Sequence, residues 1–427
     1  MKEKALSTES YKGVRDFYPE DQFIQEYIFG VWKTVAESYG YEAYNASILE
    51  SAELYKAKSG EEIVNEQTYT FTDRGDRAVT LRPEMTPTIA RMIAAKIKEL
   101  TLPIRWYSMP NLFRYEQPQK GRLREHWQLN VDIFGVETRI AEIEILSLSY
   151  SLMHAFGAQN NDFVIYINNR KIINDIYALY ELSLDEQYKV SKIIDKKNKI
   201  PKTTFEDSLK DIMGDKADDF IRTISSTEKI IEKLGSENEG VQKIISLIEE
   251  CTELGIPNIT FNPLLMRGFD YYTDIVFEVF DTDPENKRAM FGGGRYDDLL
   301  SIFGSQKVPA IGFGMGDVTI REFLQSHKLL PTYTAPIDIY ICTAEGTSPI
   351  QVMSIANKLR TGGIRVTVDT SGKKIGDQIK KADKKKAPFV LCIGETEIST
   401  GMFELKEMAG RETRKVALED IVPIIKK

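Results

Sequence analysis

At 427 residues the chain has room for about three domains of ordinary size. An apolar fraction of 42% and a charged fraction of 28% exclude a disordered or low-complexity protein. No apolar run reaches the roughly 18 residues of a membrane span, and the opening MKEKALSTESYKGVRDF lacks the apolar centre of a signal peptide, so the expected location is cytoplasmic.

The net charge of −8 argues against a blanket nucleic-acid coat, but it is unevenly spread. Residues from Ala335 onward carry 16 Lys and Arg against 12 Asp and Glu, a local +4 that leaves −12 for residues 1–334. Cys251, Cys342 and Cys392 are far apart and have no nearby histidines, so neither a disulfide framework nor a zinc site is expected. Three scattered histidines, His126, His154 and His327, offer no histidine-based catalyst or metal cluster.

In chain order, Pro19-Glu-Asp-Gln starts a helix whose apolar positions Phe23, Ile24, Tyr27, Ile28, Val31, Trp32 and Val35 keep helical spacing, ending at Tyr39-Gly40. The following YEAYNASILESAELYKAKSG reads as a strand to Leu49 and then a short helix closed by Gly60, at a sheet edge or a dimer contact. Gln67 to Asp73 and Ala78 to Leu81 form a hairpin turned by Arg74-Gly75-Asp76. In LRPEMTP, two prolines around Glu84 and Thr86 make a stiff ledge that could receive an ammonium group. The same residues read as a helix start, with Thr86 as N-cap and Thr88 to Lys98 helical.

Phe113 to Asp132, FRYEQPQKGRLREHWQLNVD, reads as a second hairpin. Its tip carries Gln117, Gln119, Lys120, Arg122 and Arg124, while Arg114, Glu116, Gln128 and Asp132 stand on the strands. Fixed arginines beside fixed carboxylates suit a zwitterion and a polyphosphate; the alternative is a solvated face with surface ion pairs. A helix over Ile143 to Phe156 follows, and residues 169–256 change to successive helices rich in Ile, Leu, Lys and Glu, an insertion without recognisable motif chemistry.

Strands resume at Asn258 and continue through MRGFDYYTDIVFEV. Arg267 beside Gly268 could bring a guanidinium to a developing phosphate charge, or pair with Asp270. The runs FGGGRYD and PAIGFGMGD are neither a P-loop nor a dinucleotide fingerprint and read as walls of a shared pocket. From Ala335 the pattern becomes a β-α-β domain of IDIYICTA, a helix from Ser348-Pro349 to Gly362, IRVTVDT, a lysine-rich helix and FVLCIG. Its lysines, Lys373, Lys374, Lys380, Lys381, Lys384, Lys385 and Lys386, are either a solvated face or an RNA-facing surface.

Taken together and in order, LRPEMT, FRYEQPQKGRLREHWQ, MRGFDYYTDIVFEV, GGGRYDDLL and AIGFGMG resemble the histidyl-tRNA synthetase family of class II, over essentially the whole chain. The resemblance implies an α+β fold: a largely antiparallel sheet flanked by helices, with a helical insertion and a C-terminal α/β anticodon-binding domain. The implied boundaries are 1–168 and 257–330 for the catalytic core, 169–256 for the insertion and 335–427 for the anticodon domain. It also implies a cytoplasmic homodimer whose partners are L-histidine, ATP and tRNA(His), with Mg2+ arriving on ATP rather than in a dedicated protein site.

By the same resemblance, Glu84, Met85, Thr86, Gln128, Asp132, Tyr271 and Tyr272 surround histidine, with Arg114 and Arg267 reaching it too. Arg114 and Arg267 are the catalytic pair at the α-phosphate, joined at ATP by Glu116 and Arg122, and the tip from Gln117 to Arg124 meets the tRNA acceptor end. Two positions depart from the family pattern. Ser47 stands where the motif 1 proline is expected, and Thr319 where the ATP-stacking motif 3 arginine belongs, with Arg321 two residues further on. A second reading is therefore a catalytically silent paralogue resembling the regulatory subunit of ATP phosphoribosyltransferase. Such relatives usually lose the RGFDYYT arginine and the anticodon domain, both of which this chain retains. A third reading, an RNA-binding module without catalysis, rests on the lysine-rich helix alone, and the joint presence of Arg114 and Arg267 speaks against it.

Overall fold

A computed structural model describes residues 6–56, 67–119, 121–197, 200–265, 272–286, 288–410 and 412–426. The expected Arg267, Tyr271 and Lys120 lie outside the described residues, as does Gly60. The chain divides into two compact units, Met1–Pro331 and Thr332–Lys427.

The first unit opens with α1 (Pro19–Ser38), where proline sits in the first turn and Glu20 and Asp21 complement the N-terminal end of the helix dipole. Ile28, Trp32, Val35 and Ala36 form its buried stripe, and it stops at Gly40, whose φ of +78° a side chain would oppose. The next segment is more broken than a single strand to Leu49. It gives β1 (Glu42–Ala43), β2 (Leu49–Ser51) and α2 (Ala52–Lys56). Arg82 explains the break, because its guanidinium donates to the carbonyls of Ala46 (2.8 Å) and Asn111 (3.0 Å) and draws the intervening backbone away from a ladder. β3 (Tyr69–Thr72) and β4 (Ala78–Leu81) form the expected first hairpin, with Asp73 accepting from the amides of Gly75 and Arg77 inside the turn.

α3 spans Thr86–Lys96, with Met85 rather than Thr86 at the N-cap. The proline near its start needs no amide partner, so the helix begins at Thr86, one residue before the expected first position Pro87, and it ends at Lys96 rather than the expected Lys98. β5 (Ile104–Ser108), β6 (Asn111–Phe113) and β7 (Glu125–Phe134) follow. Arg114 and Glu116, expected on a strand, lie beyond the end of β6. The ladder fails there because the Tyr115 amide turns to Gln67 O (2.7 Å) and the Glu116 amide folds back to Arg114 O (2.8 Å).

α4 (Ile140–Ala155) begins three residues earlier than expected. β8 (Phe163–Asn169) leads into six helices, α5 (Arg170–Leu179), α6 (Leu184–Lys196), α7 (Lys202–Met213), α8 (Ala217–Thr223), α9 (Thr227–Leu234) and α10 (Glu239–Glu253). Side chains of Asn169, Ser183, Ser226 and Asn238 cap four of them, Ser183 in a reciprocal box with Glu186. The chain then returns through β9 (Ile259–Phe261), β10 (Ile275–Asp281), β11 (Ala289–Arg295), β12 (Ala310–Gly316) and α11 (Asp317–Ser326).

The main sheet runs β1-β5-β7-β12-β11-β10-β8-β9, with β6 paired to one end of β7. Only β1/β5 and β8/β9 are parallel, so the sheet is largely antiparallel. Its back face buries Leu129, Val131 and Ile133 of β7 against Ile145, Leu148 and Leu152 of α4 and Trp32 of α1. Helices of the insertion join this same apolar cluster through Ile172, Ile176, Phe220 and Leu247. A buried ion pair, Arg295 to Glu142 at 2.7 Å, fixes β11 to α4. The helices thus cover the back of the sheet, and the side chains with even numbers on β7 face the other way.

The second unit is a five-stranded sheet in the order β14-β13-β15-β16-β17, from β13 (Ile339–Thr343), β14 (Val366–Val368), β15 (Phe389–Ile393), β16 (Met402–Glu407) and β17 (Thr413–Ala417). β13 to β15 are parallel, joined by α12 (Pro349–Thr361) and α13 (Ile375–Lys384), and the last two strands add an antiparallel edge.

Candidate functional site

The front of the main sheet holds a cavity of about 120 Å³, and its walls come from widely separated parts of the chain. β7 contributes Gln128, Asn130 and Asp132, three successive members of one face of the strand. Opposite stand Glu84 and Thr86, from the turn into α3, and Arg114, from the loop after β6. Tyr272 and Tyr296 close one end.

The floor is made by omission. Gly292, Gly293 and Gly294 of β11 lie across from Gly314, Phe313 and Gly312 of β12. A Cβ on Gly312 would fall 2.4 Å from Asp132 Oδ1 and 2.8 Å from the Tyr296 hydroxyl, and one on Gly314 would fall 2.6 Å from Gln128 Nε2. Glycine here leaves space that any side chain would fill.

Electrostatically the cavity is sharply divided. Asp132 is 4% exposed, and burial pushes its carboxyl up to about 7, against the opposing pull of the hydrogen bond donated by Tyr296. Near neutral pH it stands ready to accept a proton or a cationic partner. Glu84 is also buried. Arg114 is oriented from behind, its Nε donating to Pro83 O at 2.9 Å, which leaves the other guanidinium edge for a ligand. His126, one step along the same face of β7, is driven down to about 3 by burial and by the charges of Arg114 and Arg15. It is neutral at physiological pH and adds no positive charge beside the cavity. Paired cation and carboxylate walls about a small polar cavity can hold a zwitterion with a polar side chain, and among the described residues no Cys/His or Ser/His nucleophile lines them.

The structure therefore brings together Glu84, Thr86, Arg114, Gln128, Asp132 and Tyr272. Met85 does not line the cavity; it is fully buried at the head of α3. Asn130, Tyr296, Phe313 and the glycine floor were not singled out individually in the sequence. Alternation along β7 would have found Asn130, since it stands between Gln128 and Asp132 on their face.

Around the hairpin loop, Arg122 pairs with Glu116 at 3.1 Å. Arg124 is held in place: its Nε donates to Glu116 O (3.1 Å), its Nη1 donates to the Tyr11 hydroxyl (2.9 Å), and its guanidinium lies 4.2 Å from the Tyr115 ring centroid. Gln117 and Gln119 are exposed. The N-terminal segment braces this loop, because Gly13 O accepts from the Arg124 amide (2.7 Å) and Phe17 packs edge-on against Trp127. Arg15 pairs at 2.6 Å with the fully buried Asp317 at the start of α11, and Asp317 also accepts from the Trp127 amide. Arg321 is engaged with Asp21 of α1, away from the cavity. Among the described residues no group of three or more His, Cys, Asp or Glu side chains could hold a metal.

A largely antiparallel sheet with a zwitterion-sized cavity on its front, followed by a separate small α/β domain, is the architecture of an aminoacyl-tRNA synthetase. Residues 13–318 match the histidyl-tRNA synthetase family and residues 339–427 the anticodon binding domain family. A histidine–tRNA ligase of Leptospira biflexa is 45% identical over 100% of this chain and 99% of its own length, and one of Thermoplasma volcanium is 36% identical over 99% of each. Among solved structures, the histidyl-tRNA synthetase of Nostoc superposes with a TM-score of 0.81 at 23% identity over 99% of both chains. The apo enzyme of S. aureus gives 0.75 at 25% identity, over 99% of this chain and 100% of that one. The chain belongs to the histidyl-tRNA synthetase family.

Proposed function

We propose that this chain is a class II histidine–tRNA ligase, which activates L-histidine with ATP and passes it to the 3′ end of tRNA(His). The observation that carries the reading is the cavity itself: Gln128 and Asp132 above a glycine floor, Glu84 and Thr86 on the facing wall, and Arg114 between them. Asp132 and Gln128 take the imidazole, Glu84 and Thr86 the ammonium group, and Arg114 the carboxylate. A side chain that cannot pair with buried Asp132 and half-buried Gln128 leaves polar groups unsatisfied, and this makes selection sharp.

In the first step a histidine carboxylate oxygen forms a bond to the α-phosphorus of ATP while the bond to the bridging oxygen breaks, and pyrophosphate leaves with the electron pair. In the second, the terminal tRNA hydroxyl attacks the histidyl carbonyl carbon and AMP leaves. No protein nucleophile is needed, so positioning and charge neutralisation by Arg114 and Arg267 supply the rate. Mg2+ would come with ATP, outside any dedicated protein site, and would offset phosphate charge. Glu116, Arg122 and the hairpin tip from Gln117 to Arg124 meet ATP and the acceptor end, and the 335–427 domain, with its lysine-rich helix, meets the anticodon. Residues 1–168 and 257–330 form the catalytic core around the 169–256 insertion, and the enzyme works as a cytoplasmic homodimer. Among the described residues no helix is long and apolar enough to cross a membrane.

The test is exchange of labelled pyrophosphate into ATP, without tRNA, in the presence of each amino acid in turn. Exchange with histidine alone supports the ligase. Histidine binding without exchange would replace it with the regulatory relative of ATP phosphoribosyltransferase.

A further inference from the structure

The family's motif 3 arginine is replaced by Thr319, and the structure narrows what can take over its charge. Arg321 on the same helix is engaged with Asp21. Thr319 itself is occupied in holding backbone: its hydroxyl donates to Met290 O at 2.7 Å and lies 3.2 Å from Gly316 O. The first of these bonds pins the start of β11 against α11. Just ahead of that pinned strand stands Arg288, exposed, with one Nη donating to Gln119 Oε1 of the hairpin tip at 2.9 Å. Seen from Gly121 of that tip, a Cβ would lie 3.9 Å from Arg288 Nη1 and 3.9 Å from Thr319 Cγ2. An arginine from a different strand thus reaches the place beside residue 319.

We propose that Arg288 is an ATP-positioning residue, supplying to the polyphosphate the positive charge that Thr319 does not, with Thr319 anchoring the strand that carries it. The local charge balance calls for such a group. Glu322, one turn along α11 from Thr319, holds the Gly121 amide at 2.9 Å and brings a negative carboxylate to the same spot. A polyphosphate can approach there only if a cation offsets it, and a planar guanidinium grips phosphate oxygens in pairs. This inference rests on the ligase reading above.

The experiment measures ATP and histidine KM in histidine-dependent pyrophosphate exchange for Arg288→Gln and Arg288→Lys, with Arg321→Ala, which removes the other cation of the neighbouring helix, as a control. Arg288→Gln keeps a donor for Gln119 but no charge, and should raise the ATP KM about ten- to a hundredfold, the worth of one charged hydrogen-bonded contact. Histidine KM and calorimetric histidine binding should stay as in the parent, Arg288→Lys should recover much of the loss, and Arg321→Ala should have little effect. An ATP KM unmoved by Arg288→Gln, or an Arg321→Ala variant that reproduces its defect, overturns the proposal, since the missing charge would then not be supplied by Arg288 in particular. Absence of exchange by the parent would sink the ligase reading instead.

Discussion

Replacing Asp132 by asparagine separates its cost to the fold from its service to the ligand. The carboxyl titrates near 7 in the folded chain against an ordinary 3.8, because burial disfavours its charge more than the Tyr296 hydroxyl supports it. Between those two values the folded state binds the proton that the unfolded chain has lost, so stability falls as pH rises from about 4 to about 7. A difference of about 3 pH units at 1.36 kcal/mol each sets the penalty at up to about 4 kcal/mol above neutrality. Asp132→Asn is nearly isosteric and carries no charge, so it removes that penalty. For a unit of this size, at roughly 2 °C per kcal/mol, its Tm should exceed that of the parent by up to about 8 °C at pH 8 and converge with it toward pH 4. The assay is scanning calorimetry without ligand across that range, paired with histidine binding, which should fall about ten- to a hundredfold in the variant if a charged hydrogen bond is lost. In the parent, histidine affinity should weaken as pH drops below 7 and Asp132 takes up its proton. Parallel Tm curves for parent and variant would refute the assignment of a strained, ligand-relieved carboxylate.

Gly314→Ala places a methyl group 2.6 Å from the Gln128 amide, a movable side-chain end, so histidine KM should rise about tenfold or more while thermal stability stays close to the parent, read by exchange kinetics and calorimetry. Arg321→Ala removes a partly exposed pair with Asp21, and should cost at most about 1 kcal/mol in urea unfolding while leaving the ATP KM unchanged. Glu142→Ala takes the bidentate partner from the buried Arg295 guanidinium, leaving it Asp297 at 3.3 Å and Val136 O at 2.9 Å, and should cost about 3 kcal/mol in the same assay with little direct effect on substrate affinity in the folded fraction. Arg267→Ala should abolish most adenylate formation in single-turnover assays while calorimetric histidine binding changes little.

Much of the cavity could be read from local pattern. Gln128 and Asp132 share the period of one strand, and the stiff LRPEMTP turn announces a fixed ledge for Glu84 and Thr86. What escaped was set by groups far away in sequence. Arg114 leaves its strand because a neighbouring amide finds Gln67 O, and the break before β2 reflects Arg82 reaching back to Ala46 O. Glycine runs on β11 and β12 signal close approach, but only the register between them shows that their missing side chains form the floor under Asp132 and Gln128. Arg288 lies in a polar turn with no motif around it. Its place beside Thr319 comes from the pairing of strands that β10 and β11 bring together, which no local rule encodes.

The brace between the N-terminal segment and α11 also bears on how the chain is made. Arg15 finds Asp317 302 positions further along the chain, and β7 finds β12 only once the whole helical insertion has been synthesised. Such distant pairings delay closure, because long loops must be brought together before any contact offsets their entropy. During translation the front of the sheet therefore waits, its β7 edge unpaired, until β12 emerges. A chain stalled within the insertion would expose that edge to other nascent chains, so the insertion sets the period during which this protein most needs a chaperone.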